Sequence, residues 1–327
     1  MTCFVTGATG FVGAHVARAL VACGEEVRCL VRPLSRRDNL RGVPVELVIG
    51  DLLEPDTYRA ALRGCRTLYH CAADYRLFAP DPQQIRRTNV EGSDALFQAA
   101  AEASVDRIVY TSSVGALGLS PDGSPANEET PVSRADMIGH YKRSKYDAER
   151  VAQAWFAKGL PIVIVNPSTP IGELDIKPTP TGKIIVDFLA GRMPAYVDCG
   201  LNLVDVRDVA LGHLLAAERG QPGQKYILGH RNMTLREMLE ILARTSGITA
   251  PKIELPHWIP VVLGALEAPI ARLFGRTPRV PLEGARMAAK KMYFDCEKAV
   301  RCLGVPQSPI EDAMERAVHW FKSKHYA

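Results

Sequence analysis

The sequence predicts an α/β fold, a doubly wound parallel sheet with a smaller, mostly helical lobe built from its C-terminal part. Three observations predict it. Short apolar runs alternate with helical stretches from residue 3 to residue 165, as parallel strands alternate with crossover helices. Glycines at 7, 10 and 13 stand where the first apolar run, Cys3 to Thr6, passes into a helical stretch, Phe11 to Cys23. After Ser168 the alternation stops, with prolines at 167, 170, 178 and 180. The expected division is a Rossmann-type domain over 1–167 and 201–229, and a substrate lobe over 168–200 and 230–327.

The glycine turn comes first. A strand entering a helix through Gly7-Ala8-Thr9-Gly10-Phe11-Val12-Gly13 brings backbone N–H groups and the helix dipole to one point, which suits a dinucleotide pyrophosphate. Gly7 permits the tight turn, Gly10 the approach of phosphate, and Gly13 the packing of helix on strand. Thr9, Phe11 and Val12 complete this set. The second strand, Glu26 to Val31, is followed by Arg32, with Arg36 and Arg37 close behind. NAD-selective folds usually place a carboxylate here for the ribose hydroxyls. Arginine instead can pair with a 2′-phosphate, so NADP(H) is expected over NAD(H).

Val45 to Ile49 reads as the third strand, with Asp51 and Leu52 after it placed to meet the adenine; Asp51 can equally cap the helix starting near Pro55. The fourth strand, Thr67 to Cys71, ends in Ala72-Ala73, small enough for a cofactor to pass close. His70 within it reads as a core histidine. A long helix is expected over Pro82 to Ala103, with Asn89 inside. The fifth strand, Arg107 to Thr111, runs into Ser112-Ser113, and a helix over about Arg134 to Lys158 carries Tyr141 and Lys145. The sixth strand, Pro161 to Val165, leads to Pro167 and Ser168, the last of the expected cofactor-binding residues.

Beyond it, Gly182 to Ala190 and Val206 to Arg219 read as helices. Leu201 to Val204 and Lys225 to Leu228 read as strands that return to the main sheet. Thr234-Leu235-Arg236-Glu237 and Ser308-Pro309-Ile310-Glu311 read as capping boxes, which gives their carboxylates a structural task.

Tyr141 and Lys145 lie four apart, on one helix face. A free tyrosine, with a pKa of about 10, is a poor acid/base at neutral pH. A neighbouring ammonium favours phenolate, and Lys145 can also hold the nicotinamide ribose. Ser113 would hydrogen-bond the oxygen of the reacting carbonyl. These three form the expected catalytic set.

Composition bounds the alternatives. The 327 residues are 47% hydrophobic and 23% charged, a globular balance. A net charge of +4 without a dense basic tract gives no indication of nucleic-acid binding. Eight cysteines with no Cys-x-x-Cys pair fit reduced core thiols in a cytoplasmic protein. No metal site and no signal peptide are expected.

With these motifs in place the chain resembles the extended short-chain dehydrogenase/reductase family throughout its length. The matching residues are Thr6-Gly7-Ala8-Thr9-Gly10-Phe11-Val12-Gly13, Gly50-Asp51-Leu52, Thr111-Ser112-Ser113 and Tyr141-x-x-x-Lys145. The resemblance implies Ser113, Tyr141 and Lys145 as catalytic residues. Val27-Arg28-Cys29-Leu30-Val31-Arg32 is similar to the dihydroflavonol-reductase branch, where the matching arginine meets the NADP phosphate. Further segments, among them His70 to Leu77, Met137 to Tyr141 and Val165 to Gly172, resemble the bacterial hopanoid-associated sugar epimerases.

Two departures disfavour sugar-nucleotide chemistry. Ser113 is followed by Val114-Gly115-Ala116 where sugar-nucleotide dehydratases carry Asp-Glu. Gly200-Leu201-Asn202 offers no arginine for a diphosphate. The expected function is therefore NADPH-dependent reduction of a carbonyl, and the hopanoid resemblance implies the sugar-derived aldehyde of a hopanoid as substrate. Epimerisation and non-catalytic NADP(H) sensing are the alternatives. A homodimer through the Tyr–Lys helix is implied by the resemblance.

The apolar stretch His257 to Phe274 holds Glu267, Arg272, Pro260 and Pro269, which argue against a membrane span. It reads as a core helix of the lobe. A wall of the substrate site, or a membrane-surface contact that admits a lipid, is the other reading, and would make the cytoplasmic protein peripheral to the inner membrane.

Overall fold

A computed structural model describes residues 1–76, 81–273, 282–288 and 290–326. Leu77 and Phe274 lie outside them, as do the side chains of Ile270, Arg272 and Leu273.

The strands Thr67–His70 and Ile162–Pro167 are buried at every residue, and Thr2–Thr6 at all but the first. Such unbroken burial marks strands covered on both faces. They form a seven-stranded parallel sheet in the order Lys225–Leu228, Ile162–Pro167, Arg107–Thr111, Thr67–His70, Thr2–Thr6, Glu26–Val31, Glu46–Ile49. Strand order reverses at Thr2–Thr6, which opens a crevice beyond the carboxyl ends of the central strands.

Helices Phe11–Ala22 and Val206–Arg219 cover one face through Val16, Leu20, Val209 and Ala216. Helices Gly92–Glu102 and Gly139–Ala157 cover the other through Leu96, Phe97, Ala148 and Ala152. A further core joins helices Pro180–Leu189, Leu235–Ser246 and Ile310–Ser323 around Ile185, Phe188, Leu242, Met314 and Phe321.

Four local expectations are corrected. Gly200–Asp205 does not rejoin the main sheet but is the centre of a four-stranded one. Arg231–Thr234 pairs with one of its edges; Lys291–Met292 and Thr169–Ile171 also pair with it. Gly200 allows this: a Cβ there would collide with the Tyr293 ring.

The expected long helix around Asn89 is instead α over Pro82–Arg86, π over Arg87–Glu91 and α over Gly92–Glu102. The helix that carries Tyr141 and Lys145 begins at Gly139, whose φ is +81°, and Arg134–Asp136 is a separate 3-10 turn. Thr234 and Glu237 do form a capping box, but Ser308 and Glu311 do not. Ser308 instead donates its hydroxyl to Asp208 at 2.8 Å, and Glu311 pairs with Arg231 at 3.0 Å.

Candidate active site

Gly7 adopts φ +72°, and a Cβ on it would lie 2.7 Å from the Ala72 nitrogen. Gly13 packs directly on the Gly7 carbonyl. Gly10 N-caps the Phe11–Ala22 helix in extended backbone, and no side chain caps it. Thr9, Phe11 and Val12 are half-buried beside it. An uncapped helix end in a cradle that a side chain would fill fits a dinucleotide pyrophosphate.

The turn is held by Asn39, a residue without a sequence signal. Its amide donates to the Leu174, Gly10 and Thr9 carbonyls at 2.9, 3.3 and 3.4 Å, while Arg18 donates to its own carbonyl at 2.9 Å.

After the third strand, Asp51 Oδ1 accepts the Leu53 N–H at 3.0 Å, closing the turn, and Leu52 is buried. Arg32, Arg36 and Arg37 are all exposed on one loop. Arg36 is already paired with Asp38 at 2.9 Å. Ala72 and Ala73 are half-buried beside the glycine turn, and the Ala72 N–H donates to Thr6 Oγ1 at 3.2 Å.

His70 lies in the core, held at 2.8 Å by Thr6 Oγ1 and at 2.9 Å by Ser93 Oγ, and burial pushes its pKa down to about 3. Pro167 is buried. The Ser168 hydroxyl, buried, has no hydrogen-bond partner among the described residues.

Ser113, Tyr141 and Lys145 converge at the mouth of the Arg107–Thr111 strand. The Lys145 ammonium donates to the Thr111 carbonyl at 2.7 Å and lies 5.1 Å from the centre of the Tyr110 ring. Burial lowers its pKa to about 8, against the opposing pull of Glu149 and Cys71. Ser113 Oγ accepts the Gly115 N–H at 3.0 Å.

The phenol of Tyr141 is shifted upward by burial, and the Ser113 hydroxyl pulls the other way. The expected lowering rests on the ammonium together with the positive nicotinamide of the oxidised complex. Without a cofactor burial prevails, and the Lys145 ammonium is engaged by the Thr111 carbonyl.

Two buried groups behind the set were missed from sequence. Glu149, one turn past Lys145 on the same helix, accepts from Ser112 Oγ at 2.5 Å and Asn166 Nδ2 at 2.9 Å, and faces Lys225 at 3.3 Å. Asn166 also donates to the Ser113 carbonyl at 3.1 Å. The spacing of 141, 145 and 149 was the signal that could have found Glu149.

Asn89 bridges the loop after the fourth strand to the helix that carries Tyr141 and Lys145. It pairs with both backbone groups of Asp74, at 2.7 and 2.9 Å, and donates to Ser144 Oγ at 2.9 Å. Among the described residues no cluster suits a metal ion.

Such a sheet and such a crevice define a dinucleotide-dependent oxidoreductase. Residues 3–229 match the NAD dependent epimerase/dehydratase family. A Synechocystis sp. protein named for dihydroflavonol 4-reductase is 49% identical over 99% of this chain and 95% of its own. Sterol demethylase protein B of Methylococcus capsulatus is 36% identical over 99% of both chains. Among solved structures, a nucleoside-diphosphate-sugar epimerase from Pseudomonas aeruginosa superposes with a TM-score of 0.82 at 27% identity, over 100% of this chain and 99% of that one.

The chain belongs to the NAD dependent epimerase/dehydratase family, and is an enzyme of the extended short-chain dehydrogenase/reductase type. That family binds NAD(P) and comprises reductases, dehydratases and epimerases. The non-catalytic sensing alternative is thereby set aside.

Proposed function

We propose that this enzyme reduces a carbonyl at the expense of NADPH. The observation that carries the reading is the convergence of Ser113, Tyr141 and Lys145 on one strand mouth beside the glycine turn. Bound NADPH would supply the hydride that reaches the carbonyl carbon. Ser113 would hold the carbonyl oxygen, and Tyr141 would pass its phenol proton to that oxygen. Lys145 would hold the nicotinamide ribose and stabilise the phenolate left behind. Arg32, with Arg36 and Arg37, would take the 2′-phosphate, while Asp51 and Leu52 would border the adenine.

The substrate we favour is a lipophilic one, the sugar-derived aldehyde of a hopanoid. The reductase named in one relative and the sterol named in another support that class. Epimerisation is the second reading, favoured by the fold shared with a sugar-nucleotide epimerase. The experiment is to incubate the enzyme with a sugar-bearing hopanoid and excess NADPH. Loss of NADPH equal to a product gaining two hydrogens supports reduction. An isomer of unchanged mass with no NADPH consumed restores the epimerase.

We further propose a cytoplasmic location with a membrane-surface contact. Among the described residues no helix is long and apolar enough to cross a membrane. The helix Trp258–Leu273, expected as core, instead exposes Trp258, Val262, Leu263 and Leu266 along one side. Residues 252–291 hold seven Lys or Arg and three Asp or Glu, a surplus equal to the whole chain's +4. An exposed apolar face within a stretch of net positive sequence charge suits an anionic bilayer. The homodimer through the catalytic helix is a proposal from resemblance, which light scattering tests.

A further inference from the structure

Lys142 follows Tyr141 on the catalytic helix and is 9% exposed. Among the described residues no carboxylate pairs with it, and its ammonium has one hydrogen-bonding neighbour, Met292 Sδ at 3.9 Å. A buried ammonium with so weak a partner costs stability, unlike Lys145, which has a carbonyl at 2.7 Å. Burial and then the like charge of Lys290 lower the Lys142 pKa to about 8.

Its position is as informative as its isolation. A Cβ on Gly115 would lie 3.3 Å from Ser113 Oγ and 3.7 Å from Lys142 Cγ, so one residue separates the ammonium's stem from the hydroxyl at the reaction centre. The glycine lets the lysine stem and the serine hydroxyl approach each other, since a side chain there would crowd both. Nearby, Val114, Ala126 and Phe294 form an apolar cluster that Met292 packs against, and the buried Glu128 beside it is taken by the Ile227 N–H at 2.8 Å.

We propose that Lys142 binds an acceptor oxygen on the substrate beside the reacting carbonyl, and so selects hydroxylated or carboxylated carbonyl compounds over plain ones. This rests on the carbonyl-reductase reading. The cost of burying the ammonium is then recovered when the substrate's oxygen accepts from it.

The test uses NADPH with three aldehydes: hexanal, D-glyceraldehyde and succinate semialdehyde. Lys142→Met keeps the shape and removes the charge. Its kcat/KM should fall by about tenfold or more for at least one oxygen-bearing aldehyde and stay within about twofold for hexanal. A loss with D-glyceraldehyde identifies a hydroxyl as the partner, and a loss with succinate semialdehyde a carboxylate.

The same variant should have a higher Tm, since it loses an unpaired buried charge; a merely structural lysine would lower it. If the wild type reduces none of the three, the reductase reading is what fails, and binding still decides this proposal. With NADP⁺ present, D-glycerate should raise the Tm of the wild type and not of Lys142→Met. Equal effects in both proteins, or none in either, overturn it, as does an unchanged substrate preference.

Discussion

Glu149 accepts the Ser112 hydroxyl at 2.5 Å, joining the middle of the catalytic helix to the strand end that carries Ser113. The same carboxylate holds Asn166 and faces Lys225. Glu149→Gln keeps the volume but removes the charge from this buried cluster. It should destabilise the fold by roughly 1–3 kcal/mol, read from urea denaturation. An unchanged midpoint would show that the cluster contributes packing alone.

Tyr141→Phe removes one oxygen from the half-buried phenol position. Turnover should fall by about 10²–10⁴-fold, with NADPH affinity within about twofold of wild type. Undiminished turnover would remove Tyr141 from the proposed mechanism.

Arg32 is exposed and has no carboxylate beside it among the described residues, whereas Arg36 is shared with Asp38. Arg32→Ala should weaken NADPH by roughly 1.5–3 kcal/mol and leave NADH nearly unchanged. Titration of both cofactors checks this, and equal wild-type affinities refute the 2′-phosphate role.

His70 and His213 are both fully buried, and burial pushes their pKa values down to about 3 and about 4, from an ordinary 6.5. As pH falls below 6.5 the unfolded chain therefore takes up protons that the folded chain refuses. Stability should fall with pH between 6.5 and 4, by about 1.4 kcal/mol per pH unit for each histidine. His213 holds Thr111 Oγ1 at 2.9 Å and the Val209 carbonyl at 2.7 Å. His213→Gln should reduce the slope, and a slope equal to wild type would argue against a buried neutral ring.

Leu263→Glu with Leu266→Glu places charge on the exposed face of the Trp258–Leu273 helix. Wild type should cosediment with phosphatidylglycerol vesicles, and less so as salt is raised. The double variant should lose that binding by about tenfold or more. No sedimentation of the wild type, or equal sedimentation with phosphatidylcholine, would refute the anionic-surface contact.

What could be read along the chain was local. The glycine turn was legible because φ +72° at Gly7 and the contact of Gly13 with the Gly7 carbonyl arise within seven residues. The Tyr141–Lys145 pair was legible because helical spacing alone puts both on one side. Buried strands were legible because a sheet covered on both faces leaves unbroken apolar runs. Tertiary structure decided everything that depends on distant partners. Both edges of Gly200–Asp205 are taken by short strands far along the chain, so it leaves the main sheet. Ser308 lost its expected cap to Asp208, a hundred residues away. The burial that isolates Lys142 and raises the Tyr141 pKa is set by the lobe and the strand ends packed around the helix. Spacing determines which side chains share a face; only packing determines which of them reach water, a carboxylate or nothing.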